Sequence, residues 1–242
     1  MNNENKGEDY TPDYIPTGAM HIAFDKIAIE REIILKNIEK AKRNRSYFQS
    51  KNIYVVNLIS SPGAGKTSIF EETLRSIGDR YSFALIESNL QTYNDSKRIK
   101  ELGINYFQID SENTQYLDAE TIYEAIKSMK LHDNTILFIE NVGNSISPSL
   151  LDLGESLRVV ISSVTEGENK PLKYPYMFES ANVCLINKID LLPYIPTRLE
   201  VLEKNIHNIN SNLEILKLST QNRDGIEQWS SFLLEKVYMS LR

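Results

Sequence analysis

Ile59–Ser68 reads ISSPGAGKTS, a set of residue types suited to gripping phosphate. Gly63 and Gly65 permit backbone conformations that bring main-chain amides close to an anion. Lys66 offers a cation to the β- and γ-phosphates of a nucleotide, and Thr67 offers a hydroxyl to Mg2+. The strict phosphate-loop pattern G-x-x-x-x-G-K-[ST] fails at its first position, where Ser60 stands. The loop nevertheless follows an apolar run and opens a helical stretch, which aims its amides and a helix N-terminus at one point. The candidate phosphate-binding residues are therefore Ser61, Pro62, Gly63, Ala64, Gly65, Lys66, Thr67 and Ser68. An ordinary glycine-containing turn is the alternative, and the position directly after a strand-like run argues against it.

Two further stretches extend this chemistry. NKID (Asn187–Asp190) follows the apolar run NVCLI and resembles the guanine-reading N-K-x-D motif of P-loop GTPases. A carboxylate at Asp190 can accept from the guanine N1–H and exocyclic amine, donors that adenine does not present in that arrangement. Asn187 and Lys188 belong to the same candidate site. Alone, the tetrapeptide is also compatible with a turn after a strand. Its place well downstream of a phosphate loop, with LST (Leu218–Thr220) after a later strand, favours guanine. TILFIENVGN (Thr135–Asn144) ends its apolar run on Glu140, where an acid in P-loop enzymes holds Mg2+ or its water.

The elements that must carry these residues alternate in type. Apolar runs at 53–59, 82–87, 104–109, 135–140, 158–164, 182–188 and 214–219 are rich in β-branched residues, as strands buried on both faces are. Helical patterns fall at Thr67–Ile77, Thr92–Leu102, Asp118–Met129, Thr197–Ile206 and Gly225–Met239. This alternation predicts an α/β fold, a P-loop NTPase with a mostly parallel central sheet flanked by helices on both faces. Ligands in such sheets sit at the carboxyl ends of the strands. Residues 1–22 are expected to be a flexible tail, and 23–242 a single domain with a lead-in helix over about Ala23–Gln49.

Composition narrows the class. A net charge of −6 over 242 residues disfavours non-specific nucleic-acid binding. The single cysteine, Cys184, excludes an intramolecular disulfide and suits a reducing cytosol. The N-terminus is polar and acidic, unlike a signal peptide, and no apolar run is long enough for a membrane span. The expectation is a cytoplasmic protein with no nucleic-acid or membrane partner.

NLISSPGAGKTS, ENVGN followed by DLGE (Asp152–Glu155), SVTEGENKPLKYPYMF (Ser163–Phe178) and NKIDLLPY (Asn187–Tyr194) occur in this order. KAKRNRSYFQSKNI before the first strand and QTYND (Gln91–Asp95) after the second accompany them. Together they closely resemble the hydrogenase nickel-incorporation GTPases (HypB-like), over roughly residues 30–240. That family's loop has the Ser60 form, and generic GTPases lack the TEGENKPLKYP string. The resemblance implies a SIMIBI-class GTPase with slow intrinsic turnover, a homodimer in the GTP state. It implies nickel delivery to the hydrogenase large subunit together with a small zinc-binding accessory protein. It also implies that Lys170 approaches the nucleotide or the partner subunit near the base, and that Ser219 and Thr220 line the base pocket. Lys66, Thr67 and Glu140 are the candidate catalytic residues, with Thr67, Asn89 and Glu140 around Mg2+.

Two departures qualify the resemblance. The family's interface metal site uses a Cys-His pair and a further Cys, and the matching positions here read Gln115, Tyr116 and Ser147, poor ligands for Ni2+ or Zn2+. Cys184 lies in a strand pattern and reads as core, and His21, His132 and His207 show no paired spacing. A resident nickel or zinc site is therefore doubtful. The family's second strand ends E-G-D, whereas Glu87, Ser88 and Asn89 stand here, so one carboxylate is replaced by an amide, and Asp95, nearby in the sequence, could compensate. These departures leave alternatives open: a repurposed paralogue serving another metalloenzyme, such as a urease or a cobalamin-dependent mutase, or a nucleotide-binding regulatory scaffold with little hydrolysis. An ATP-dependent kinase with the same loop is opposed by NKID.

Overall fold

The computed structural model describes residues 17–87, 98–109, 117–142 and 151–240. Seven strands form one sheet in the order β3-β2-β4-β1-β5-β6-β7. They are β1 (Tyr54–Ser60), β2 (Ser82–Glu87), β3 (Asn105–Gln108), β4 (Thr135–Val142), β5 (Leu157–Ser163), β6 (Val183–Asn187) and β7 (Glu214–Lys217). Every pairing is parallel. Each expected strand thus forms, and the α/β fold of P-loop NTPase type is as expected.

The central strand β1 is buried at every position. Its alternate residues feed different layers. On one face Val56 and Leu58 pack with Phe70 of α2 (Lys66–Ile77) and with Trp229 and Leu233 of α7 (Ile226–Ser240). On the other face Val55 packs with Phe48 of α1 (Thr17–Ser50) and Ile122 of α3 (Ala119–Ser128). Ile59, on that same face, packs with Phe178 of α5 (Pro175–Glu179) and Leu202 of α6 (Leu199–Ile209). α4 (Lys170–Lys173) precedes α5, and no helix was expected over this pair. Pro171 and Pro175 at the first turns of these short helices start them without any apolar periodicity.

α1 begins at Thr17, upstream of the Ala23 suggested by pattern, so residues 17–22 of the expected tail are helical. Periodicity could not place that start, because the apolar repeat begins only later. Of the expected Thr92–Leu102 helix, residues 98–101 are helical and 92–97 lie outside the described residues. Contacts divide the chain into Met1–Lys36 and Asn37–Arg242. In the first unit, Lys36 and Glu32 form an exposed ion pair at 2.7 Å.

From Asn37 onward, α1 is bound by amide side chains. Asn37 accepts from Ala119 N at 2.8 Å and donates to Asp152 O at 2.6 Å. Two turns later Asn44, fully buried, donates to Ala119 O and Leu153 O. Gly154 (φ 88°) lies so close to this helix that a Cβ would stand 2.8 Å from Ala41 O.

Candidate functional site

β1 ends at Ser60, and the chain turns through Ser61–Gly65 into α2. Gly65 caps that helix at φ 105° and ψ 26°, a left-handed conformation. Lys66 is 6% exposed, and its Nζ donates to Ser60 Oγ at 2.9 Å and lies 3.8 Å from Glu140 Oε1. Burial pushes the Lys66 ammonium below the ordinary lysine value. Glu140 opposes that shift, and Lys170 adds to it. Ser60, the residue that breaks the strict motif, thus holds the loop lysine, and its own hydroxyl donates to Ser61 O at 2.8 Å.

The base motif is fastened to this loop. Asn187 is fully buried at the end of β6, and its Nδ2 donates to Ala64 O at 2.9 Å. Lys188, at φ 63°, donates from Nζ to Gly63 O at 2.8 Å. A Cβ on Gly65 would stand 2.3 Å from Asn187 Nδ2, so only glycine fits where the two motifs meet. Asp190 Oδ1 accepts from the buried Ser219 Oγ at 2.5 Å, which aims the carboxylate. Ile189 N donates to Leu218 O at 3.3 Å, joining the motif to the segment after β7.

Ser68 and Thr220 line a shared cavity of about 410 Å³ with Glu71, Glu72 and Arg75. A second cavity, about 450 Å³ and lined by Arg45, Phe48, Asn52, Tyr54 and Lys236, contains none of the candidate residues. Thr67 stands in the first turn of α2, half-buried. Lys170 is 3% exposed, and its Nζ donates to Glu166 Oε1 at 2.5 Å. Burial lowers its pKa against the pull of Glu166. Glu166 is held in turn by Ser163 N at 2.8 Å. Asn89, Asp95, Gln115, Tyr116 and Ser147 lie outside the described residues.

Three residues of this neighbourhood carried no site role in the sequence reading. Glu87, fully buried at the end of β2, pairs in register with Glu140 and accepts from Tyr106 Oη at 2.6 Å. Glu166 captures Lys170. Their signal was weak because an acid at a strand end, as Glu87 is, or in a turn, as Glu166 is, is also an ordinary solvated residue. Ser60 had the clearest signal, as the one departure from the phosphate-loop pattern.

The nucleotide-binding domain of the CobW/HypB/UreG family matches residues 54–217, the span from β1 to β7. The chain belongs to this family. It is 39% identical over 241 residues to the hydrogenase maturation factor HypB of Escherichia coli K12, covering 94% of this chain and 83% of that one. The crystal structure of the hydrogenase maturation factor HypB from Archaeoglobus fulgidus superposes with a TM-score of 0.78 at 32% identity, covering 84% of this chain and 99% of that one. HypB from Helicobacter pylori, solved in complex with nickel, superposes equally well (TM-score 0.78, 32% identity), covering 86% of this chain and 97% of that one.

In this CobW/HypB/UreG domain the phosphate loop, the base motif and Glu140 gather at the carboxyl ends of β1, β4 and β6. That is where an open α/β sheet places its ligand. A left-handed glycine opening a helix N-terminus and the buried Lys66 ammonium suit a polyphosphate. Among the described residues no group of three or more His, Cys, Asp or Glu could hold a metal ion. Cys184 is fully buried in β6, and burial pushes its thiol pKa up. Among the described residues no helix is long and apolar enough to cross a membrane.

Proposed function

We propose that the protein is a GTP-binding and GTP-hydrolysing accessory factor for nickel insertion into nickel–iron hydrogenase, with residues 23–242 working as one GTPase domain. The observation that carries this reading is the fastening of Asn187 and Lys188 to the carbonyls of Ala64 and Gly63. Contact between the N-K-x-D stretch and the loop after β1 supports their working as one site. Kinship with curated maturation factors over most of the chain supports the biological role.

In this reading the amides of 63–67, Lys66 and Ser68 bind the phosphates, Thr220 borders the base, and Asp190, aimed by Ser219, selects guanine. Hydrolysis then proceeds by positioning and charge neutralisation. Lys66 leaves Ser60 for the phosphates, and Glu140 orients water or would help hold Mg2+. The buried carboxylates of Glu140 and Glu87, in register at the strand ends, fit a hard divalent cation beside Thr67, with Asn89 as the remaining candidate. Mg2+ there would neutralise charge on the phosphates.

Nickel is cargo here, passed to a hydrogenase large subunit with the help of a zinc-binding accessory protein and, in the GTP state, a second copy of this chain. The factor acts in the cytoplasm. Calorimetry with GTP, GDP and ATP, together with phosphate release in Mg2+, tests the reading. Guanine-selective binding and slow release that Lys66→Ala abolishes are expected. Preference for adenine nucleotides, or no binding at all, refutes it.

A further inference from the structure

Asp190 is aimed by Ser219, and Ser219 begins a loop that has little else to hold it. The Ser219 hydroxyl donates to Asp190 and accepts from Gln221 N at 3.1 Å and Asn222 N at 3.4 Å. Residues 221–224 are all exposed, so no core packing fixes their path. Locally, Ser219 N donates to Asp224 O at 2.9 Å, and Asn222 Nδ2 donates to Asp224 Oδ2 at 2.7 Å. Gly225 (φ 71°) closes the loop where a Cβ would stand 2.0 Å from Lys217 O.

Among the described residues, the Arg223 side chain reaches from the loop to α2. Arg223 Nε lies 3.0 Å from Glu72 Oε2 on α2, the helix that begins at Lys66, as an ion pair whose geometry is not that of a hydrogen bond. Glu72 is only 9% exposed, and its other oxygen pairs with Arg75 Nη1 at 2.5 Å. A carboxylate so enclosed needs cationic partners, and one of its two comes from the base loop. Arg223 itself sits at φ 69°, a conformation unfavourable for a side-chain-bearing residue. From that conformation its guanidinium still reaches Glu72 on α2.

We propose that Arg223 and Glu72 are a positioning pair for purine selection. Their contact ties the loop that aims Asp190 to the phosphate-binding helix, so guanine preference depends on an ion pair remote from the base. This inference rests on the guanine-nucleotide reading above. When the pair is cut, residues 221–223 shift and the amides of Gln221 and Asn222 leave the Ser219 hydroxyl. The Asp190 carboxylate then rotates away from the position that meets the guanine donors. Adenine makes no use of that carboxylate, so its binding does not change.

The test is calorimetric titration of the full chain and its variants with GTP, GDP and ATP, with thermal melts alongside. Arg223→Ala is expected to weaken GTP and GDP roughly fivefold, the scale of one partly exposed ion pair, to leave ATP unchanged, and to lower the melt slightly because Glu72 loses one cationic partner. Arg223→Lys is expected to recover most of the loss. Glu72→Gln reproduces the loss, and the double variant adds nothing further, as for residues acting through one contact. A GTP-to-ATP ratio unchanged in Arg223→Ala, or equal losses for both nucleotides, overturns the pair's role while the functional reading stands. A wild-type chain that binds no guanine nucleotide, or prefers ATP, refutes the functional reading and this one with it.

Discussion

Gly65 is the position at which a single atom decides the site. Its left-handed backbone and the 2.3 Å gap to Asn187 Nδ2 leave no space for a methyl group. Gly65→Ala therefore costs about 1–2 kcal/mol in backbone strain alone, and it also pushes Asn187 off Ala64 O. Loss of measurable GTP binding in a variant that still folds, shown by calorimetry and circular dichroism, is the expected outcome. Lys66 adds a proton-linked effect. Burial holds its ammonium below the ordinary value in the free chain. A bound polyphosphate stabilises the charged form and raises that value again, so binding in alkaline buffer takes up protons. Heats of GTP binding measured in alkaline buffers of different ionisation enthalpy should differ accordingly, and identical heats contradict this account. Lys170 has an internal partner at this scale. Its ammonium is engaged by Glu166 inside the chain, a partner four residues away that its motif did not single out.

Among the elements, the second half of α1 is held by polar contacts as much as by its apolar face. Asn44 donates to two carbonyls in a fully buried setting, and replacement by Ala leaves both acceptors without it. A loss of about 1–3 kcal/mol for each unsatisfied group predicts a clearly lowered denaturant midpoint for Asn44→Ala, read by chemical unfolding. The seven strands were legible because parallel strands buried on both faces read as continuous apolar runs. α4 and α5 were not, because four- and five-residue helices show no period and owe their start to Pro171 and Pro175. The Asp118 cap of α3 shows the opposite case. Asp118 accepts from Thr121 N at 2.8 Å, a boundary that local chemistry marks in the sequence itself.

At the scale of the whole molecule, the site joins segments from both ends of the sheet-forming region, so its occupancy stabilises the fold as a unit. A nucleotide at about 100 times its dissociation constant adds about 2.7 kcal/mol. For a chain of this size that corresponds to a rise of roughly 5–10 °C in melting temperature. Differential scanning calorimetry should record that shift with GDP and Mg2+ and not with ADP at the same concentration. An equal shift with ADP contradicts guanine selection. By itself the sequence determined the strand–helix alternation, the phosphate loop and the N-K-x-D motif, because each is a pattern within one strand–turn–helix unit. Only the tertiary structure decided that Asn187 and Lys188 grip the loop at Ala64 and Gly63, that Ser60 holds Lys66, and that Arg223 reaches Glu72. The first and last of these meetings depend on which strands lie side by side, and the order β4-β1-β5-β6 is set by packing between distant segments that no local spacing encodes.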